Sequence, residues 1–94
     1  MAELIDLFAG EAATNIAELR EQEPAGAVAE IRRIAHRLKG SCTNIGASRM
    51  TLILDRLESV RDPGEVGGLV DKLQKEYERV RERLAAEQMK MANF

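Results

Sequence analysis

The chain has 94 residues, 45% of them hydrophobic and 32% charged, and its 14 basic and 16 acidic side chains leave a formal net charge of −2. This length supports a single domain over residues 1–94 with one modest core. The balanced charge gives no general reason to bind nucleic acid, and no apolar run reaches the roughly 20 residues of a membrane span.

Leu4, Phe8, Ala12, Ile16 and Leu19 recur at helical spacing and predict a first helix over about residues 3–21. Gln22-Glu23-Pro24 ends it, because proline cannot continue a helix interior. Val28, Ile31, Ala35, Leu38 and Cys42 form the stripe of a second helix, which ends between Thr43 and Gly46. Asn44 and Gly46 suit a left-handed helix end. Ser48 is placed to cap a third helix bearing Met50, Ile53, Leu54, Leu57 and Val60. Asp62-Pro63-Gly64 reads as a turn. The fourth segment carries Val66, Leu69, Val70, Leu73, Tyr77, Val80 and Leu84 in a near-heptad pattern and extends to about Met91. The tail Ala92-Asn93-Phe94 is expected to fray.

Four amphipathic segments with short connections predict an all-α fold, an antiparallel up-down-up-down four-helix bundle. The aromatics are only Phe8, Tyr77 and Phe94, which favours helices over a β-sandwich. A coiled-coil hairpin or dimer built on the last helix is the alternative. The stripes are wide enough for an intramolecular core, so a monomer is expected. The N-terminal Met1-Ala2-Glu3-Leu4 carries acid where a signal peptide carries base. The lone Cys42 can form no internal disulfide. Both features point to a soluble cytoplasmic chain, with nuclear access open if its source is eukaryotic. The start at Met1 and the short tail lean toward a free protein rather than an excised module.

The segment Ala35-His36-Arg37-Leu38-Lys39-Gly40-Ser41, continuing through Cys42-Thr43-Asn44-Ile45 to Gly46-Ala47, holds the only histidine. At about 100° per residue, His36 lies roughly 140° from the apolar stripe. Ala29, Arg32, Lys39, Gly40 and Thr43 fall within about 50° of it. His36 is therefore predicted to be exposed among basic and small residues. Helical side chains lean toward the N-terminus, so the Lys39 ammonium is expected to reach back over the imidazole. Gly40 costs ~1 kcal/mol relative to alanine inside a helix. It points away from the core, so clearance for a docking partner is the compensation its direction suggests. Ala29 keeps the approach low, and Thr43 lies beyond His36 on the same side. Ser41 turns away and reads as structural, while Cys42 faces the core as a small hydrophobe.

These residues resemble the histidine-containing phosphotransfer (HPt) domains of two-component phosphorelays. The likeness rests on Ala-His-x-Leu-Lys-Gly-Ser from Ala35 to Ser41, on Ile45-Gly46-Ala47 at the family's usual distance, and on Leu57-Glu58 near the end of the third helix. It extends to the length and helix plan of the whole chain. The resemblance implies a phosphocarrier that does not phosphorylate itself from ATP. His36 would accept a phosphoryl group from a receiver-domain aspartyl phosphate, through Nε2 in this family, and pass it to a response-regulator aspartate. The implied partners are receiver domains and a hybrid histidine kinase. Lys39 and Gly40 belong to the motif. Arg32, Arg33, Arg37 and Lys39 would complement an acidic receiver pocket, and the cations nearest His36 would stabilise the phosphoryl dianion. Thr43 could bond the phosphoryl group, line the docking face, or bond its own helix. No acidic cluster lies beside His36 in the sequence, so this chain is expected to hold no metal or cofactor, and magnesium is expected on the receiver. Docking in this family uses apolar residues around the histidine, for which Leu7 and, less directly, Leu52 are candidates.

Rival readings fit less well. Sensor-kinase dimerisation domains follow their histidine with an acidic residue and soon a proline, whereas here Arg37 follows and the next proline is Pro63. Glycine-rich nucleotide-binding boxes are also missing. A carboxylate-bridged metal bundle needs Glu-x-x-His pairs, but Arg33 stands three residues before His36. The rival of another class is a helical-bundle scaffold that binds partners without carrying phosphate.

Overall fold

A computed structural model describes the backbone of residues 2–92 and the side chains of residues 6–87 and Met89. Its helices are α1 (Ala2–Gln22), α2 (Val28–Ile45), α3 (Ser48–Glu58) and α4 (Val66–Ala92), with a 3-10 turn, Pro63–Glu65, leading directly into α4. No strand occurs among the described residues.

The apolar stripes meet in one core. Phe8, Ile16 and Leu19 come from α1, Ile31, Ile34 and Leu38 from α2, Met50, Leu54 and Leu57 from α3, and Val70, Leu73 and Tyr77 from α4. Burying a large side chain of this kind is worth about 1.5–3 kcal/mol, which makes the stripe the strongest constraint on each helix's rotation. The helices pack in a ring, each against two neighbours. Cross-helix contacts fix their directions. Glu18 meets Arg37 while Glu11 meets Ser41. Arg20 meets Asp71 while Ala9 meets Tyr77. Glu58 meets His36 while Asp55 meets Lys39. Along α3 and α4, Arg49 approaches Glu76 while Arg56 lies beside Leu69. Rising numbers on one helix meet falling numbers on the next, so the predicted antiparallel up-down-up-down bundle is what forms. The bundle is 49 × 19 × 18 Å. Its long axis follows α4, whose buried residues end at Leu84.

Several local expectations are corrected. Ser48 does not cap α3; it is the first helical residue, and Ala47 occupies the cap without a side-chain bond. The reason is the connection itself. Gly46, at φ 77°, ends α2 in a Schellman turn, its N–H bonding the Thr43 carbonyl while Ala47 N–H bonds that of Cys42. Ser48 N–H then bonds the Gly46 carbonyl, and the chain re-enters a helix with Ala47, which has no polar side chain, at the cap position. Asn44 stays within α2, and Gly46 alone takes the left-handed conformation there. Val60 is buried but lies past the end of α3. Asp62 accepts a 2.9 Å hydrogen bond from Gly64 N–H and starts the 3-10 turn, with Pro63 at its first position. Ala92 closes α4. The Leu4 side chain and Asn93-Phe94 lie outside the described residues.

Candidate functional site on α2

Burial of Ala35 and Leu38 turns Arg32, His36 and Lys39 toward the α3 side of α2. The His36 side chain is 76% exposed. Its Nδ1 contacts the carboxylate of Glu58, the last residue of α3. The second Glu58 oxygen is held by Lys39 Nζ, which also reaches Asp55 at 2.9 Å. Asp55 and Glu58 are three apart and therefore neighbours on one helix face. Arg32 Nε donates to the Glu58 backbone carbonyl at 2.6 Å. Glu58 thus joins all three α2 side chains.

The electrostatics are set by this sharing. A carboxylate at a helix C-terminus is disfavoured by the macrodipole, and the Arg32 guanidinium covers that end. The hydrogen bond from Lys39, reinforced by His36 and opposed by partial burial, holds the Glu58 carboxyl below its ordinary range. Glu58 and then Asp55 raise Lys39 in return. An ionised Glu58 can only accept, so His36 Nδ1 carries the shared hydrogen. In the neutral ring the lone pair then sits on Nε2. Nε2 has no hydrogen-bond partner among the described residues.

The other predicted residues are distributed around this centre. Gly40 is exposed, and a Cβ built there meets nothing within 4 Å, so no packing inside the protein calls for glycine. Ala29 is exposed near the start of α2. Thr43 donates to the Lys39 carbonyl at 3.0 Å, a bond within its own helix. Leu7 is 66% exposed and lines a groove between α1 and α2. Leu52, 65% exposed, instead lines a furrow between α3 and α4, away from His36. Ser41 donates to Glu11 at 2.8 Å and ties α2 to α1. Cys42 is fully buried, and burial pushes its thiol up to about 12.

The open basic stripe and the missing acids are corrected together. Arg33 pairs with Glu30 at 2.6 Å, Arg37 bonds Asn15 at 2.9 Å and Glu18 at 3.0 Å, and Arg32 and Lys39 engage α3. The Lys39 ammonium is directed to the α3 carboxylates. Of those carboxylates, Glu58 meets His36 although it is 22 residues away in sequence, and Asp55 meets Lys39 alone. Sequence reasoning noted Glu58 without a role and passed over Asp55 and Asn15. The Asp55-x-x-Glu58 spacing on the polar side of α3 was the available signal for the first pair. Asn15, only 6% exposed and adjacent to the Ile16 stripe, was the signal for the second.

A family model described as the Hpt domain matches residues 3–86. This chain belongs to the Hpt domain family. Hpt domains serve histidine phosphotransfer in phosphorelays, working with receiver domains and kinases. The resemblance drawn from residues 35–47 is therefore shown. No curated protein and no solved structure matches this Hpt domain at a significant level. Among its described residues no helix is long and apolar enough to cross a membrane, and no group of three or more His, Cys, Asp or Glu is arranged to hold a metal ion.

Proposed function

We propose that this Hpt domain carries its phosphoryl group on Nε2 of His36, taken from a receiver-domain aspartyl phosphate and delivered to a response-regulator aspartate. The observation that supports this reading is the Nδ1–Glu58 contact on a ring that is otherwise open to solvent. In the forward step the Nε2 lone pair attacks phosphorus. The N–P bond forms as the acyl P–O bond breaks, and the electron pair of that bond returns to the donor carboxylate. The ring keeps its Nδ1 hydrogen and gains a positive charge, which the ionised Glu58 faces. Return to a second aspartate reverses each step.

Such a transfer depends on positioning and charge stabilisation. Lys39, held by Glu58 and Asp55 one turn from His36, stations an ammonium for the incoming phosphoryl oxygens. Asp55 and Glu58 are both engaged by Lys39, so magnesium would enter with the receiver's acidic pocket. Ala29, Gly40 and Thr43 form the low rim of the approach, Arg32, bonded to a backbone carbonyl rather than a carboxylate, lends it positive charge, and Leu7 offers an apolar contact on α1. The test is incubation of the chain with phosphorylated receivers followed by mass spectrometry. The expected result is a gain of one acid-labile phosphoryl group that His36→Gln lacks. No gain from any of several receivers overturns the reading and favours a scaffold that carries no phosphate.

A further inference from the structure

The face formed by α3 and α4 takes no part in the reaction above. On α3, Asp55 and Glu58 turn to α2, whereas Arg49, Leu52 and Arg56 line a furrow shared with α4. Along its length the furrow is bordered by Arg49, Arg56, Lys72, Arg79 and Arg83. Glu65 stands at one end. Glu76, nearer the middle, is bound by Arg79 at 2.9 Å and lies 3.9 Å from Arg49, so one anion serves two cations. Arg56, Lys72 and Arg83 have no carboxylate within 4 Å among the described residues. The floor is apolar: Ile53 and Leu69 are half-buried, and Leu52 is one of the most exposed large hydrophobics. A local cationic excess over an apolar floor, in a chain of net charge −2, is a segregated surface rather than an average one.

We propose that this furrow docks an acidic amphipathic helix of a partner protein. Its apolar side chains would cover Leu52, Ile53 and Leu69, and its carboxylates would meet Arg56, Lys72 and Arg83. The sign of the border selects an acidic partner. The floor selects side chains over a phosphate backbone, which would leave Leu52 uncovered and set phosphates against Glu76. The 11 residues of α3 give the furrow a wall of about 16 Å, close to three helical turns. Because α3 separates the furrow from His36, a partner seated there leaves the imidazole free. A receiver carried by the same partner would then be held at high effective concentration.

The probe is a synthetic helix of glutamates with leucines at i, i+3, i+4 and i+7, titrated into the isotope-labelled intact chain and followed by amide chemical shifts. Shifts are expected to centre on Arg49, Leu52, Arg56, Leu69 and Lys72. Arg56→Glu with Lys72→Glu is expected to weaken binding at least ~10-fold while circular dichroism stays unchanged, since like charges across an interface are costly. His36→Gln is expected to bind as the parent does. Shifts centred on α1 and α2, or unaltered affinity in the charge-reversed variant, would overturn the proposal. So would equal binding of a peptide with its leucines scattered around the helix, or tighter binding of an oligonucleotide or phosphatidylglycerol vesicles.

Discussion

The two flanks of α2 are built from the same kinds of side chain and come to different ends. Toward α1, Arg37 divides itself between Asn15 and Glu18, and Ser41 donates to Glu11. Toward α3, Glu58 serves both His36 and Lys39, and Arg32 takes its carbonyl. The first flank closes on itself and acts as a fastener. The second leaves the exposed ring with a nitrogen that has no partner among the described residues. In the proposed reaction, that ring nitrogen is the reactive group on this helix.

The largest contrast between the flanks should come from His36→Gln, which is expected to abolish phosphoryl uptake. Arg37→Gln, one residue away on the other flank, should leave uptake measurable by mass spectrometry. Next, Glu58→Gln should slow transfer about 10–100-fold, the scale on which an orienting partner of a histidine acts. Ring-nitrogen NMR should show both tautomers in that variant, and an unchanged rate would make the α3 flank a second fastener. On the α1 side the effect should fall on stability instead. Arg37→Ala leaves the buried Asn15 amide without this partner and is expected to cost about 1–3 kcal/mol in urea denaturation.

Gly40 sharpens the same contrast at the exposed edge. Gly40→Ala should stabilise the fold by ~1 kcal/mol in thermal melts, while Gly40→Gln should slow transfer with the fold intact. The smallest effect concerns pH. The folded Glu58 carboxyl titrates below its unfolded value of about 4.3. Its contribution is therefore complete above that value and is lost as pH falls through the depressed one. The melting difference between the parent and Glu58→Gln should hold steady near neutrality and shrink under acid.

Helix count, direction and the exposure of His36 were legible because all three follow from the 3.6-residue period and short connections. Leu38 and Ala35 had to face inward, so His36 could not. The pairing of charges was not legible from one helix at a time. Lys39 reads as a free cation along α2, and only the rotation of α3, set by burying Met50, Leu54 and Leu57, delivers Asp55 and Glu58 to it. Leu52 was misplaced for the same reason, since its neighbours are decided by α4. Ser48 was misread because the turn places Ala47 at the cap, and the Ala47 carbonyl already takes the Thr51 N–H.

The Gly46–Ala47 turn works as the zero mark of a ruler. Counted from Gly46, His36 lies ten residues back along one arm and Glu58 twelve along the other, or about 15 Å and 18 Å of helix. Two side chains that must meet are thus gauged from a hinge far from both. An added residue within α3, ahead of Asp55, would advance Glu58 by about 1.5 Å and swing it about 100°, parting the imidazole from its acid without altering either.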